Sequence, residues 1–429
     1  MPTRIQPPSS QREETTRSWW TPLASLLTAG LVTTLVACGG GGGGSSAGVG
    51  TGGTGSFAVG TISGFGSIIV NGVRYDDSSA TVLDDDDSSS STSSLSIGQV
   101  VEIRGSVNSD GVTGTASSIS YYSALKGPVT AVNAGAGTVT VFGQVVNVTP
   151  TTLFEDVSGL AALAVGNVVE VYGLPAAGGA ITATRIEREA LTIDSFSGDY
   201  RIRGVVSGLV ATSPGQRFSV GTVTVQTDNA TQIEGTILND AFVRVRLDKT
   251  AIAANTYTAK RVKVKNRVYE SGVNKAEVQG LISEFTSSSA PFKVNGYPVE
   301  LGTSVTYEDG AVGNLANDVR IEAKGVVTNG VLVISKVEFD DDSNEGGSDG
   351  NDAPFEFKGT ATCSATPCGS PTGSIVVRGV TVQYDTATTQ FDDGVTTANL
   401  NGATVEVKAI AQAGSGGTTL LATRIELDD

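Results

Sequence analysis

Carboxylates and three cysteines are the residues of this chain that could do chemistry, because its 429 residues include no histidine. Histidine is the usual general base near neutral pH and a common metal ligand, so its absence removes much catalytic chemistry. Glu102 and Glu170 could act as a paired acid and base, yet both recur in the same strand motif. We interpret them as outward-facing strand residues and predict a protein that is not an enzyme and has no cofactor or metal site.

Cys38 stands between an apolar run, residues 23–37, and a tract of glycines at 39–44. A run of about fifteen residues is too short for a permanent bilayer-spanning helix, which needs roughly 20. Small residues precede Cys38, as they precede the cleavage point of an export signal. The run is therefore predicted to be a signal peptide and not a membrane stem.

The letters LVAC at residues 35–38 resemble the lipobox of bacterial lipoproteins, in which the cysteine becomes the lipidated first residue of the mature chain. The resemblance implies a signal peptide at 1–37 and palmitate-type acylation of Cys38, with an ordinary secretory signal as the alternative. Two or more acyl chains hold a protein firmly on a membrane, whereas one does not. Gly39, in place of an aspartate after the cysteine, implies the outer membrane by the same resemblance.

Cys363 and Cys368, in the segment CSATPC, form an even pair once Cys38 is set aside. Disulfides persist in the oxidising surroundings of an exported protein, so we predict a bond between them, with two free thiols in a loop as the alternative. A zinc site is disfavoured, because two sulfurs without a histidine or a second cysteine pair leave half of the tetrahedron empty.

The charge and composition of the chain limit the kinds of partner that it could bind and indicate its fold class. Without residues 1–37 the chain keeps 25 Lys and Arg against 42 Asp and Glu, which opposes binding of the whole molecule to a polyanion such as nucleic acid. Stacking aromatics for single strands are also sparse, at 6% of residues. The 55 glycines, with abundant Val and Thr, indicate many short strands separated by tight turns.

A repeat of one small β-unit appears five times when its glycines are aligned. A first-strand glycine recurs at Gly60, Gly127, Gly204, Gly280 and Gly359. A hairpin-turn glycine follows between alternating apolar runs at Gly72, Gly143, Gly221, Gly296 and Gly379. A fourth strand, such as VVEIRG at 100–105 or VVEVYG at 168–173, and a closing fifth strand complete each unit.

Five strands in about 70 residues, with a variable segment between the third and the fourth, favour a five-stranded OB-type barrel. Closure is expected because an open sheet of this size would leave exposed edges and a thin core; a β-sandwich or a flat meander is the alternative. The predicted all-β array has a lipidated cysteine and Gly/Ser tether at 38–55, unit 1 at 56–123, unit 2 at 124–191, unit 3 at 199–270, unit 4 at 275–340, an acidic linker at 341–354 and unit 5 at 355–429.

The repeat resembles the DUF5666 family of exported bacterial proteins. The resemblance is carried by GTISGFGSIIVNGVRYD at 60–76, SIGQVVEIRG at 96–105, AVGNVVEVYGL at 164–174 and ATRIE at 183–187. It covers units 1 and 2 well and units 3 to 5 more loosely. Because the family has no assigned activity, the resemblance implies an architecture and no catalytic residue.

Two acidic segments stand out, the acidic loop at residues 84–87 and the linker at 341–354. Clustered carboxylates suit calcium, but neither segment has the spaced ligand pattern that ends in a bidentate glutamate. We therefore expect solvated loops, and we expect the linker to isolate unit 5 from unit 4.

Unit 3 differs from the rest of the acidic chain, with twelve Lys and Arg against five Asp and Glu between residues 200 and 275. Strand periodicity places seven of these cations on one outer face, with valines alternating inward. We name this set the cationic face: Arg201, Arg203, Arg244, Arg246, Arg261, Lys263 and Lys265. It is either a face that complements acidic neighbours such as units 1 and 4, or an anion-binding site for phosphate- or carboxylate-bearing envelope polymers.

These observations predict a cell-envelope lipoprotein that binds or spaces a partner without catalysis. Its expected partners are the membrane, through the lipid anchor, and an envelope protein or an anionic envelope polymer. Binding of an oligosaccharide or another anionic polymer in the barrel grooves is the alternative function. An enzyme is the third and least favoured, since barrels of this kind host unrelated functions and no catalytic motif is present.

Overall fold

The computed structural model describes residues 1, 55–265, 267–340, 354–365, 368–414 and 417–428. The predicted signal peptide, the lipidated Cys38, nearly all of the tether and linker residues 341–353 lie outside the described residues. The chain divides into two compact units, Met1–Gly50 and Thr51–Asp429, and all that follows concerns the second.

The described residues contain thirty strands and five short 3₁₀ turns. Unit 1 has β1 Ser56–Phe65, β2 Ile68–Val70, β3 Val73–Asp76, β4 Thr81–Leu83, β5 Ser89–Ser90, β6 Val100–Val107 and β7 Thr113–Tyr121. Unit 2 has β8 Leu125–Asn133, β9 Thr138–Val141, β10 Gln144–Glu155, β11 Val168–Pro175 and β12 Ile181–Ala190. Unit 3 has β13 Tyr200–Ala211, β14 Gln216–Val220, β15 Val223–Gln226, β16 Gln232–Glu234, β17 Phe242–Ala253 and β18 Thr256–Val264.

Units 4 and 5 continue the same series. Unit 4 has β19 Lys275–Ser283, β20 Phe292–Val294, β21 Tyr297–Glu308, β22 Arg320–Thr328 and β23 Val331–Phe339. Unit 5 has β24 Phe355–Thr360, β25 Thr362–Cys363, β26 Thr372–Val377, β27 Val380–Asp385, β28 Gln390–Phe391, β29 Thr404–Gly414 and β30 Gly417–Leu427. The 3₁₀ turns are Thr92–Ser94, Ala134–Ala136, Leu160–Ala162, Ala177–Gly179 and Val312–Asn314.

Each unit closes into a barrel by one pattern of strand pairing. In unit 3, β13 pairs antiparallel with β14 and β17, β14 pairs with β15, and β17 pairs with β18. A parallel pair, β15 with β18, then closes the barrel. The equivalent parallel pairs are β3–β7, β10–β12, β21–β23 and β27–β30. The predicted all-β fold of five small OB-like barrels is confirmed.

The first-strand glycine of each unit makes room for the hairpin that follows it. In unit 1, a Cβ on Gly60 would lie 2.9 Å from Val70 Cγ1 and closer still to Asn71. Asn71 sits at the turn with φ 55°, is buried, and donates from Nδ2 to the Val59 carbonyl over 3.1 Å. Asn295 takes the same place over Gly280 in unit 4. The repeated glycines are therefore packing positions as well as turn signals.

The five barrels are not joined in sequence order. Strand β1 runs parallel to β19 of unit 4, from Ser56 opposite Lys275 to Val59 opposite Val278, and parallel to β24 of unit 5. Units 2 and 3 instead share the antiparallel pair β8–β13. Unit 1 thus joins units 4 and 5 in one sheet while units 2 and 3 form another. Unit 5, which the acidic linker was expected to isolate from unit 4, is held to unit 1 by β24 and the Arg74–Glu356 ion pair.

Apolar side chains fill the barrels and the seams between them. One buried cluster spans units 1 and 5, a second spans units 2 and 3, and a third lies in unit 4 with Phe57 and Val59 of unit 1. A small cluster of Val100, Leu174 and Leu281 joins units 1, 2 and 4. These clusters remove apolar surface from water, and such burial is the main driving force for folding and assembly.

Two further features bear on the sequence predictions. The Sγ atoms of Cys363 and Cys368 are bonded, with the Cα atoms 5.4 Å apart and both residues buried. No helix in the described part of the chain is long and apolar enough to cross a membrane.

Candidate functional site

The acidic loop joins strands β4 and β5 and is ordered by its own first residue. The Asp84 carboxylate oxygen Oδ1 accepts the backbone N–H groups of Asp86 and Ser88, each over 2.9 Å. Asp87 adopts a left-handed backbone with φ 57°, which aspartate tolerates better than most residues. This turn aims the carboxylates of Asp85, Asp86 and Asp87 away from the unit 1 barrel and toward unit 3.

The acidic loop lies against the cationic face. Asp87 Oδ2 is 2.8 Å from the Nζ atoms of both Lys263 and Lys265, and Asp87 Oδ1 is 3.3 Å from Arg244 Nη1. Asp86 Oδ2 is 3.4 Å from Arg201 Nη2 and 3.5 Å from Arg246 Nη1. The same loop thus neutralises cations that come from β13, β17 and β18.

Burial and charge act against each other in the loop carboxylates. Burial raises the pKa of Asp87, but hydrogen bonds from Lys263 and Lys265 outweigh it and lower that pKa to about 2. Asp85 lies deeper, and its burial raises its pKa. The positive charges of Arg201 and Arg244 lower that pKa again, but only in part. Asp85 Oδ2 also accepts the Ser123 hydroxyl over 3.1 Å. The loop is therefore a half-buried structural contact.

The structure brings the predicted cationic face together but covers it. Six of its seven side chains contact the acidic loop, namely Arg201, Arg244, Arg246, Arg261, Lys263 and Lys265. Lys263 is only 4% exposed, and the gap left beside the loop has a volume of about 20 Å³. The expectation of an open outer patch is wrong, as is that of a solvated acidic loop. The face complements an acidic neighbour, unit 1.

Arg203 is the member of the cationic face that the acidic loop does not reach. Its guanidinium carbon lies 3.6 Å from the centroid of the Tyr122 ring and 5.2 Å from that of the Phe242 ring. Arg244 approaches the same Tyr122 ring at 4.3 Å. Cation–π contacts of this kind hold a guanidinium in place without removing its charge.

Glu102 lies beside these rings, on the outward face of its strand and half-buried. It accepts hydrogen bonds from the hydroxyls of Tyr122 and of Tyr297, the latter over 2.8 Å. Burial raises its pKa, but Arg244 and the two hydroxyls more than compensate, so the pKa is lowered. Glu170, its counterpart in unit 2, is 6% exposed and has Lys126 Nζ 2.6 Å from Oε2. Both glutamates point out of their barrels into seams between units.

A cleft with a volume of about 510 Å³ opens where units 2, 3 and 4 meet. Its walls are mostly apolar and include Leu125, Phe142, Ile181, Val205 and Phe242. Three cations line it as well, namely Arg203, Arg267 and Lys293. Small-molecule sites of proteins typically measure roughly 300–1,000 Å³ and combine apolar walls with a few polar groups. The cleft therefore has the size and the lining of a ligand site.

Arg267 is the residue of this cleft that sequence reasoning missed. It lies after β18, outside the strands whose periodicity located the cationic face, and its guanidinium carbon is 4.2 Å from the centroid of the Phe242 ring. Burial and the neighbouring Arg203 lower its pKa to about 10. A basic side chain between two units carries no periodic signal, so its place could not have been read from the repeat.

One group of carboxylates has the spacing of a metal site. Oxygens of Glu170, Glu187 and Glu189 lie within 4.8 Å of one another. Lys126 already supplies a positive charge there, with its Nζ 2.6 Å from Glu170 and 2.7 Å from Glu189. The ammonium group therefore occupies the position in which a cation would be held.

Comparison with known proteins agrees with the repeat architecture. A family model described as a domain of unknown function (DUF5666) matches five times, at residues 58–120, 126–187, 203–263, 279–338 and 368–426. These matches fall on the five barrels in turn and together cover more than half of the chain. None of the curated proteins with which the chain was compared matches it significantly. The chain therefore belongs to the DUF5666 family and carries five copies of its domain.

Proposed function

We propose that this chain is a lipid-anchored binding protein of the bacterial cell envelope that performs no catalysis. The anchor is Cys38, preceded by a signal-like apolar run and followed by the flexible Gly/Ser tether. A tether of this kind lets the five barrels stand off an outer-membrane surface.

The observation that favours binding over spacing is the cleft. A spacer needs only a stiff chain, whereas these barrels fold back so that distant segments, such as Phe142 and Arg267, line one cavity of about 510 Å³. Binding of an anionic polymer on the cationic face, the alternative, would require the acidic loop to leave.

Anchoring is tested by fractionation and mass spectrometry. The mature N-terminus should be an acylated Cys38, and Cys38→Ser should move the protein from the membrane to the soluble fraction. An unmodified N-terminus at another residue would refute the lipid anchor.

Binding is tested by native mass spectrometry of the full chain purified from envelope extract. We expect a small molecule to remain bound, and Val268→Trp to displace it, because Val268 lines the cleft and is 53% exposed. Val112→Trp is the matched control, since Val112 is 58% exposed in unit 1 and lies outside the cleft. Equal retention of the molecule in both variants would exclude the cleft as its site.

A further inference from the structure

Two guanidinium groups face the cleft without a carboxylate partner. Arg203 makes no ion pair or hydrogen bond with any described residue, and only aromatic rings flank it. Arg267 donates to the backbone oxygen and the Oδ1 atom of Asn295, both uncharged acceptors. Both guanidinium carbons lie within 5.2 Å of the centroid of the Phe242 ring, so they converge on one wall of the cleft.

This lack of a partner distinguishes the two from other buried arginines of the described chain. Arg320 and Arg424 pair with carboxylates through Nε. Seven other arginines have a buried side-chain nitrogen without a hydrogen-bond partner among the described residues. Five of these seven pair with a carboxylate through another nitrogen: Arg74, Arg185, Arg201, Arg244 and Arg246. The remaining two are Arg203 and Arg267. Both residues are half-buried, with a buried Nε atom. An unpaired charge that is partly shielded from water is costly, so a missing counter-charge is the expected explanation.

The charges already present around the cleft do not supply that counter-charge. Glu102 is a half-buried carboxylate beside the same rings, but it accepts hydrogen bonds from Tyr122 and Tyr297, and its single negative charge is shared among Arg203, Arg244 and Arg267. Glu284 is 2.7 Å from Lys293 and neutralises that cation. Asp240 lines the cleft but is exposed to solvent. An excess of positive charge therefore remains at Arg203 and Arg267.

The position of Arg267 is built into the fold. Gly296, the turn glycine of unit 4, has φ 76°, and a Cβ there would lie 2.8 Å from Arg267 Cδ. Any side chain at this position would displace the arginine, so the bare turn leaves the space that the guanidinium needs. The walls beyond it are apolar, and Val205 and Val268 are 51% and 53% exposed at the cleft. Apolar surface of this kind gains free energy when a ligand covers it.

We propose that the cleft binds an amphiphile with an apolar body and a single anionic head, the head held between Arg203 and Arg267. Guanidinium groups bind carboxylate, phosphate and sulfate heads with paired, charge-assisted hydrogen bonds. The apolar body lies along the walls formed by Leu125, Phe142 and Val205. This proposal rests on the proposed binding function and names the class of its ligand.

The test is calorimetric titration of the full chain carrying Cys38→Ser, which removes any acyl chain of its own. The probes are dodecanoate, dodecyl phosphate and uncharged 1-dodecanol, each below its aggregation concentration. The two anions should bind and the alcohol should bind at least about tenfold more weakly, since it lacks the charge-assisted hydrogen bonds. The tighter of the two anions distinguishes a carboxylate ligand from a phosphate ligand.

Three variants assign the binding groups. Arg203→Gln and Arg267→Gln should each weaken anion binding at least about tenfold and leave binding of 1-dodecanol unchanged. Arg217→Gln, in an exposed residue of β14 outside the cleft, makes the same change in net charge and should bind like the parent. Gly296→Ala should weaken anion binding without removing a charge, because it displaces the Arg267 side chain.

Several outcomes would overturn the proposal. In the first, neither dodecanoate nor dodecyl phosphate binds. In the second, 1-dodecanol binds as tightly as the anions. In the third, Arg203→Gln and Arg267→Gln unfold normally and bind the anions with the affinity of the parent. If a neutral molecule is retained from envelope extract and Val268→Trp displaces it, the cleft is a binding site and only the anionic class is wrong. If nothing is retained and no probe binds, the proposed binding function fails as well.

Discussion

Unit 3 carries two arginine-rich surfaces that differ in how their charge is compensated. On the cationic face, Asp86 and Asp87 of the acidic loop lie within 3.5 Å of cations from three strands. In the cleft, Arg203 and Arg267 meet aromatic rings and amide oxygens but no carboxylate. The cationic face, which carries more charge, is thus a contact between units 1 and 3. The cleft, which carries less charge, is left open to a ligand.

The comparison shows that charge density alone does not identify a ligand site. A run of cations on a strand face attracts whatever anion is nearest at high local concentration, and a segment of the same chain is always near. What marks a ligand site is charge that the chain leaves uncompensated beside apolar walls. Each prediction below alters one side of this comparison.

The largest effect is expected when the acidic loop loses its charge. The triple variant Asp85→Asn, Asp86→Asn and Asp87→Asn keeps side-chain volume but removes the loop carboxylates from six cations. Arg244 and Lys265 then have no described ion pair, whereas the other four keep a carboxylate from Glu170, Asp199 or Glu234. The free energy of unfolding should fall by about 3 kcal/mol, the lower end of the cost of breaking buried ion pairs, because these side chains retain some exposure. Urea denaturation measures this change.

A matched variant separates the contact from net charge. Asp194→Asn, Asp309→Asn and Asp393→Asn remove three exposed carboxylates for which the described residues show no ion pair. This control should unfold within about 0.5 kcal/mol of the parent. If both triple variants lose the same stability, the acidic loop is not a joint between units 1 and 3.

The same triple variant should acquire a binding activity that the parent lacks. With the acidic loop neutral, the cationic face loses most of its internal counter-charge and keeps only Glu170, Asp199 and Glu234, so heparin should bind it at low salt. The affinity should decrease as salt rises, since exposed charges are screened beyond about 10 Å at 0.1 M. Heparin-affinity elution compares the parent, the variant and the control. Retention of the parent equal to that of the variant would mean that the face is already open.

The repeat and its barrel were predictable because they follow from local patterns. Alternating valines such as Val243 and Val245 mark the buried face of a strand, and both are buried in the barrel of unit 3. The glycine pair of each unit, such as Gly60 and Gly72, fixes the hairpin between the first two strands. These signals repeat in five copies, which lifts them above chance.

The joints between units were not predictable in the same way. The parallel pairing of β1 with β19 is made by backbone groups, which every sequence possesses, so no side-chain pattern announces it. Arg267 lies outside every repeated strand, and only the fold brings it beside Arg203. The acidic loop and the cationic face were each visible, and unit 1 was one of two acidic neighbours considered for that face. Their actual contact depends on how the barrels pack.

Acid should weaken the contact between the acidic loop and the cationic face. The pKa of Asp87 is lowered to about 2 in the folded chain, because hydrogen bonds from Lys263 and Lys265 outweigh the effect of burial. A lowered carboxyl pKa stabilises the fold above the unfolded value, roughly 3.9, and this stabilisation is lost as pH falls toward the folded value.

The measurement is the difference in unfolding free energy between the parent and Asp87→Asn. That difference should be full at pH 5 and small near pH 2, where about half of Asp87 is protonated in the folded chain and nearly all of it in the unfolded chain. Asp194→Asn should show no such trend. A difference that stays constant over this range would mean that the ion pairs of Asp87 do not contribute to stability.

A cluster in unit 4 offers the opposite imbalance, with an excess of carboxylate. Lys324 Nζ lies 2.7 Å from Glu322 Oε1 and 3.3 Å from Glu277 Oε1, so one ammonium faces two carboxyl groups. Burial, and then the neighbouring Glu322, raise the pKa of Glu277 well above its ordinary value of 4.5. At neutral pH Glu277 and Glu322 therefore hold a proton between them. This proton removes the excess negative charge, whereas in the cleft the excess positive charge is left for a ligand to neutralise.

The effect expected from this cluster has the opposite sign to that of Asp87. A carboxyl whose pKa is raised on folding stabilises the fold below its ordinary value of 4.5, and the stabilisation declines as pH rises above it. Relative to Glu277→Gln, which is neutral at every pH, the parent should therefore lose stability as pH rises from 5 to 9. Glu300→Gln, a half-buried glutamate of β21 without a described ion pair, is the control and should follow the parent. Parallel curves for the parent and Glu277→Gln would show that the proton is not held there, and that the two glutamates share Lys324 as ions.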